Sequence, residues 1–509
     1  MARLVIIYWG LFLFSFPTLG QSKYWIIFKD KTASSLPAIS AKTIQNRAIH
    51  GLETLQETDL PINPDYLRQV TQISKIENCS RWLNAATARL TGSQKTQIEK
   101  LSFVEKIVAI DGHFYVASNE PIKKTMLAPV MTQVQAEVFK DKGLTGKGVT
   151  IGVIDAGFFE APQNDFLRPL FSRLAILGKR DYVNPAHFSR FFTEAESYSD
   201  FHGTEVLTAI SGLNPLENTQ EGLATESQFY LARTDHGTRE WRGEEDNWIA
   251  AMEWMDSLGV RVINTSLGYA KGFTNPTENY EPSQMNGHTS LISKAAQIAV
   301  EKKGILLIVS AGNEGEDTSW QLISTPADAE GVIAVGATNQ KLWNKIGYSS
   351  IGPEFLSYLK PNVSCFSLYG TSLAAPVITG FAACLMQANP KLTNKELKNI
   401  IEKSAHLYPY GNNFIGYGVP LASRALALAT SAELQEYNRE IKTTENIISV
   451  KVGESGELVS VFHKKNKWHV LDQEALKAKN GVLTIRRKAN ETFTTIDTKK
   501  EVIEVVWEK

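Results

Sequence analysis

Gly370-Thr371-Ser372-Leu373-Ala374-Ala375-Pro376 is the stretch on which the reading of this chain turns. It reads as a serine on a tight turn that opens directly into a helix. Gly370 allows close backbone approach, small residues follow, and Pro376 is tolerated because first-turn N–H groups lack intrahelical partners. An anion forming beside Ser372 would meet outward-pointing N–H donors and the positive end of the helix dipole. Alone, seven such residues are ordinary helix, so their partners decide.

Working outward, Asp155 ends the apolar run Val149-Thr150-Ile151-Gly152-Val153-Ile154 and is followed by Ala156-Gly157. His202 begins His202-Gly203-Thr204-Glu205-Val206, and Asn313 lies in Ser310-Ala311-Gly312-Asn313-Glu314-Gly315. Asp, then His, then Ser is one of three chain orders in which unrelated folds carry the same catalytic constellation; the others run His, Asp, Ser and Ser, acid, His. The last of these also needs Gly two residues after its nucleophile, where this chain has Ala374. Isolated, each residue has a plainer reading: an Asp after a buried strand is usually a helix cap, and an Asn beside Gly a turn residue.

Taken together, these blocks resemble the subtilisin-like serine peptidases (subtilases) over roughly residues 140 to 425. Thr145-Gly146-Lys147-Gly148-Val149 is similar to the family's lead-in to its Asp strand, and Gly222-Leu223-Ala224-Thr225-Glu226-Ser227 and Asn264-Thr265-Ser266-Leu267-Gly268 match in kind. So do Pro326-Ala327, Val332 to Ala337 and Tyr348-Ser349-Ser350. The resemblance implies a catalytic triad of Asp155, His202 and Ser372, an oxyanion donor in Asn313, and a substrate-binding strand in Ser266, Leu267 and Gly268. Three departures stand out. Ala156 replaces a usual hydroxyl residue, Leu373 and Ala375 replace a frequent Met and Thr, and no Ala-Pro-Gly follows Lys360-Pro361-Asn362-Val363. No cofactor is required by this chemistry. The family allows structural calcium, but no ligand spacing here identifies a site, no metal ligand is assigned, and Asp165, Asp181 and Asp200 read equally well as solvated loop residues.

A chain of 509 residues suggests two to four compact units, and 43% hydrophobic with 21% charged residues suits a globular protein. The net charge of -1 gives no electrostatic argument for nucleic acid or an anionic membrane. Residues 1–20 read as a cleaved signal peptide: Arg3, then an apolar Leu4 to Phe16, then Pro17-Thr18-Leu19-Gly20. The expectation is a secreted or cell-envelope protein, periplasmic or extracellular, with no membrane association after cleavage and no later segment long and apolar enough to span a bilayer. Three scattered cysteines, Cys79, Cys365 and Cys384, argue for buried free thiols over a disulfide scaffold.

Residues 21–124 alternate differently from the central part of the chain. Tyr24–Phe28, Trp82–Leu90 and Ile107–Ile110 read as strands, and Asp65–Ile73 and Ser93–Leu101 as helices. This small α+β unit resembles a subtilase propeptide, an intramolecular inhibitor joined through the polar, cleavable stretch Ser118 to Lys124. Between 125 and 430, strand-like runs at Val149–Ile154, Phe229–Ala232, Val260–Ile263, Ile305–Val309 and Val332–Val335 alternate with helices, notably Asp246–Ser257 and Ser290–Lys302. That pattern predicts an α/β domain: a mostly parallel sheet with helices on both faces and an active site at the strands' carboxyl ends. Residues 431–509 read as a small β-rich domain of antiparallel strands, from Ile447–Val452 through Val502–Trp507.

The expectation is therefore a secreted serine endopeptidase made as a zymogen, acting on polypeptides through an acyl-enzyme. The alternative is an inactive binding or envelope-assembly protein on the same fold. A nucleotide-binding protein is disfavoured because Gly143 to Gly148 precede the strand, whereas a phosphate loop follows one. A metallopeptidase is disfavoured because no His-Glu-x-x-His run occurs.

Overall fold

The computed structural model describes residues 22–31, 37, 39–110, 128–195, 197–236, 242–271, 279–431, 438–453 and 456–508. The signal region 1–20 and the join at 118–124 lie outside them. The centre of the molecule is a seven-stranded, all-parallel sheet. Its spatial order is Val363–Phe366, Ile333–Thr338, Leu306–Ser310, Val262–Thr265, Thr150–Asp155, Gln228–Arg233 and Ile176–Asp181. Parallel strands need both faces covered, and the alternation of side chains shows it. Ile151 and Val153 enter one core with Leu306 and Ile308, whereas Ile154 enters the other with Leu307 and Val309. Helices His202–Ser211 and Ala374–Ala388 cover the first face, and Glu245–Ser257 and Leu291–Glu301 the second. Helix Ala374–Ala388 is hydrophobic almost all round because it runs through the core. The stretch Thr371–Ala388 is apolar and long enough to cross a membrane by composition alone, which corrects the sequence expectation, yet 89% of it is buried inside this domain.

The N-terminal domain is an antiparallel sheet ordered Ile76–Ser80, Ala85–Leu90, Ser22–Phe28 and Val104–Ala109. One face packs Ile26, Phe28, Ala88, Val70 and Ile98 under its own helices, Pro64–Ile73 and Gly92–Glu99. The other presents Trp25, Trp82 and Ala85 to Trp248 and Met252 of the central domain. Sequence reasoning missed the strand Ile76–Ser80 and a third helix, Ala41–Ile49. That helix buries Thr43 and Arg47 and almost no apolar surface, so hydrophobic periodicity carries no trace of it. The strand expected from Trp82 starts only at Ala85, because Asn84 takes a left-handed turn at φ 50.

The C-terminal domain is the β-rich unit expected. Five strands run in the order Asn438–Thr443, Val502–Trp507, Phe493–Asp497, Leu458–Lys464 and Val470–Lys477, beside a hairpin-like pair, Ile447–Lys451 with Val482–Arg486. One pairing departs from expectation: Asn438–Thr443 lies parallel to Val502–Trp507. Cys365 and Cys384 are buried free thiols, whereas Cys79 is exposed, contrary to the sequence reading.

Candidate active site

Asp155 is the last residue of its strand and is fully buried. His202 is the first residue of helix His202–Ser211 and is only 4% exposed. The two meet: His202 Nδ1 lies 2.7 Å from Asp155 Oδ1. Asp155 Oδ1 also accepts from the Ala156 amide at 2.8 Å. Gly203 makes the approach possible. Its amide donates to the Gly157 carbonyl at 2.8 Å, and a Cβ there would sit 2.3 Å from that same oxygen.

Burial works against the imidazolium, but the charge and hydrogen bond of Asp155, with Glu205 and Asp235 further off, outweigh it and raise the His202 pKa above its ordinary value. The other ring nitrogen, Nε2, is buried and has no hydrogen-bond partner.

Ser372 sits in a short 3-10 turn, Thr371–Leu373, that runs straight into helix Ala374–Ala388. Gly370 starts this turn at φ 118, a conformation open to glycine and strained for other residues. The Ser372 hydroxyl points toward the Ser266 carbonyl at 3.4 Å and makes no hydrogen bond to His202. Helix His202–Ser211 nonetheless packs directly on this turn.

Asn313 follows the strand Leu306–Ser310 after a two-residue turn. Its Oδ1 accepts from the Thr371 amide at 2.8 Å and the Thr371 hydroxyl at 3.0 Å, so the amide nitrogen faces the opposite way. Thr371 is thus the residue that aims Asn313. It stood inside the diagnostic stretch, but nothing in its own identity disclosed the role.

Of the three expected substrate-strand residues, Ser266 and Leu267 are buried and only Gly268 is partly exposed. The Ser266 hydroxyl is committed to the Ser372 carbonyl at 2.8 Å and accepts from Asn264 Nδ2 at 3.1 Å. Asn264 in turn accepts from the Thr379 hydroxyl at 2.9 Å, one turn into the helix that follows Ser372. The side chains here fasten strand to helix.

Behind Ala156 lies a cluster that sequence reasoning missed. Arg233 ends the strand next to Asp155 and donates through Nε to the Ala156 carbonyl at 3.0 Å. Its guanidinium also pairs with Asp200 at 2.8 Å and Asp181 at 3.5 Å. One cation therefore joins the residue after Asp155 to the residue two before His202. Asp181 and Asp200 are buried, which corrects their reading as solvated; Asp165 is exposed and pairs with Arg168.

Asp181 spends its oxygens on the amides of Val183 and Asn184 and on Arg233, and Asp200 pairs with that guanidinium while accepting from the Ser197 amide. Neither set of donors fits a calcium ion. Among the described residues no group of three or more His, Cys, Asp or Glu is arranged to hold a metal.

Comparison with known proteins places this geometry in context. A family model described as "Subtilase family" matches residues 146–418, and one described as "Peptidase S8 propeptide domain, Bacteroidota" matches residues 23–124. Subtilisin DY of Bacillus licheniformis is 28% identical over 287 residues, 53% of this chain and 89% of that protein. Subtilisin NAT of Bacillus subtilis subsp. natto is 27% identical over 354 residues, 67% of this chain and 80% of its own. A solved structure, MycP1 from the ESX-1 type VII secretion system, is 21% identical, covers 62% of this chain and 91% of that one, and gives a TM-score of 0.45.

Proposed function

The chain belongs to the subtilase family and is a serine-type endopeptidase preceded by a propeptide domain, and from that premise we propose how it works and where. It is exported to the cell envelope or the medium after losing residues 1–20. Its N-terminal domain holds it as a zymogen until the join near 118–124 is cut. Hydrolysis runs through Asp155, His202 and Ser372.

The observation that carries this reading is the 2.7 Å contact between Asp155 and His202, with the opposite ring nitrogen buried, unpartnered and on a helix packed against the Ser372 turn. A serine hydroxyl is a weak nucleophile until a base takes its proton. In this reading Ser372 turns away from the Ser266 carbonyl to meet His202 Nε2; such bonds are often unmade in free enzymes and tighten with substrate. Asp155 fixes the tautomer that keeps Nε2 unprotonated and stabilises the cation formed when the proton arrives. As the acyl-enzyme forms, His202 returns that proton to the leaving amine, and a water repeats the cycle.

Asn313 Nδ2 and the Ser372 amide would receive the tetrahedral oxyanion; losing one such side-chain donor costs about 10²–10³ in kcat, a magnitude that is subtilisin's own. The backbone of Ser266 to Gly268 would pair with the substrate as an added strand.

The test is Ser372→Ala in the full chain. Peptide hydrolysis, self-cleavage and labelling by a fluorophosphonate should all disappear, with kcat falling about a millionfold, again subtilisin's figure. Labelling that persists in this variant would assign the nucleophile elsewhere.

A further inference from the structure

Where the N-terminal domain meets the base of the central one, the joint leaves a crevice of about 480 Å³. Its wall includes Thr150, the first residue of its strand, and Arg261, one residue before the strand Val262–Thr265. The crevice therefore sits where the central strands begin. Asp155 lies at the other end of the same strand as Thr150, so the catalytic machinery does not account for it.

Four cations line this crevice. Lys42 comes from helix Ala41–Ile49 of the N-terminal domain, and Lys147, Arg261 and Lys391 from three separate segments of the central domain. Among the described residues on its wall there is no carboxylate. The partners these cations do have are neutral. Lys42 Nζ donates to the Thr150 hydroxyl at 3.1 Å, and Arg261 donates to the carbonyls of Leu392 at 2.8 Å and Pro390 at 3.4 Å. The ammonium groups of Lys147 and Lys391 have no partner among the described residues. His50, also on the wall, bonds the Asn46 carbonyl through Nδ1 at 2.5 Å, while its Nε2 is buried without a partner. The carboxylate within electrostatic reach of His50 is Glu396, which caps its own helix at Thr393 and does not line the crevice.

The rest of the joint is built differently. Lys23 meets Asp246 there, and Arg47 and Lys303 both meet Asp59. In the crevice, burial lowers the pKa of Lys42 and Arg261, the arginine to about 10, and no carboxylate acts against it. Partly buried charge without a counter-charge is unfavourable, and an anion from solution removes that cost.

We propose that this crevice binds a phosphate-class anion with two linked phosphate groups, and that the anion clamps the N-terminal domain onto the central one. Ammonium and guanidinium groups hold phosphate oxygens through charge-assisted hydrogen bonds. Four cations on four segments are more than a single phosphate group would engage. A ligand that binds only the docked arrangement strengthens docking by mass action. Binding itself stands apart from the peptidase reading; the consequence for release of the zymogen rests on it.

Inorganic pyrophosphate is the probe, titrated calorimetrically into the intact Ser372→Ala chain, with sodium chloride at matched ionic strength as the control. Saturable binding is expected, about tenfold tighter than orthophosphate. Lys42→Ala, Lys147→Ala and Lys391→Ala remove exposed side chains, and each should weaken it about tenfold, whereas Lys147→Arg should retain it. In a chain cut at a site inserted into the join, pyrophosphate at ten times its Kd should hold the N-terminal domain about tenfold more tightly. Lys42→Ala should cancel that gain.

Pyrophosphate that binds no better than chloride or orthophosphate overturns the proposal. So does binding that Lys42→Ala leaves unchanged, because the site then lies off the joint. Binding with no effect on docking overturns the clamp. Fluorophosphonate labelling of the unaltered chain reports on the peptidase reading separately: labelled protein that ignores pyrophosphate removes only the anion site.

Discussion

The two end domains grip the central domain in different ways. Both bury apolar surface, but on the N-terminal side that surface is surrounded by buried charges. Lys23 pairs with Asp246 at 2.8 Å, and Glu253 accepts from the Ser80 hydroxyl at 2.6 Å and the Arg81 amide at 3.0 Å. Arg47 bridges Asp59 and Asp256, while Lys303 reaches back to Asp59 at 2.7 Å. Helix Ala41–Ile49 adds Thr43, whose hydroxyl caps the carbonyls of Asp256 and Ser257.

On the C-terminal side, Leu407 and Ile415 pack with Phe462 and Val502. The polar contacts there are mostly neutral: the Gln473 side chain exchanges two hydrogen bonds with the Lys345 backbone, the Ser460 hydroxyl donates to the Leu342 carbonyl, and Asn413 bonds the Val470 amide. Charges that separate are rehydrated, whereas apolar surface that separates stays unfavourable in water. The first joint suits a part that must leave, and the second suits one that stays.

The contrast can be broken experimentally. The largest effect is expected from Arg47→Met, which removes a buried cation from between Asp59 and Asp256, leaving Asp59 with Lys303 and Asp256 with the more distant Arg81. Breaking such a pair from one side costs about 3–5 kcal/mol. In a Ser372→Ala chain carrying an inserted cleavage site at the join, the cut N-terminal domain should co-elute on gel filtration, and Arg47→Met should release it. Leu407→Ala should cost about 2–5 kcal/mol and lower one shared thermal transition. Two separate transitions would show that the C-terminal joint is loose after all.

Arg233 sharpens the comparison, since its cluster with Asp200 and Asp181 is buried charge that never has to open. Arg233→Lys keeps the charge but loses the planar fork. We expect about a tenfold fall in kcat with KM little changed. Activity of the unaltered enzyme should rise with pH as His202 loses its proton, with a midpoint above the ordinary 6.5 because Asp155 raises that pKa. A kcat/KM profile flat from pH 5 to 8 contradicts the assignment.

The smallest effect is the pH dependence of docking. Burial in the joint raises the carboxyl pKa values of Glu253 and Asp256, so their contribution strengthens docking as pH falls from neutrality. Burial would push Asp59 up too, but Arg47 and Lys303 hold it down at about 2, so its contribution fades only as pH drops below 4 toward that value. Affinity that fell steadily between pH 7 and 5 would mean other groups control the joint.

What the sequence disclosed depended on how each element is held. Five of the seven strands of the central sheet were legible because they are largely buried and read as short β-branched runs, whereas the two edge strands, Ile176–Asp181 and Val363–Phe366, went unread. Asp155, His202, Asn313 and Ser372 were legible as motifs in order. Helix Ala41–Ile49 was not, because it docks by ion pairs and caps whose partners lie some two hundred residues away. Arg233 was hidden for the same reason: a lone arginine ending a strand carries no local sign of Asp181, Asp200 or the Ala156 carbonyl. The strands Asn438–Thr443 and Phe493–Asp497 were missed because they are built largely of Thr, Asn and charged residues: the first buries none of its side chains fully, and the second buries two Thr and an Asp.

Helix Glu245–Ser257 holds a last consequence. Asp246, Glu253 and Asp256 are screened in the intact chain by Lys23, Arg81 and Arg47, all supplied by the N-terminal domain. Once that domain departs, the helix becomes a row of uncovered carboxylates on an otherwise near-neutral molecule. Maturation would thus alter the protein's electrostatic face as well as open its cleft, and the ripened form should bind more tightly than the precursor to a positively charged resin.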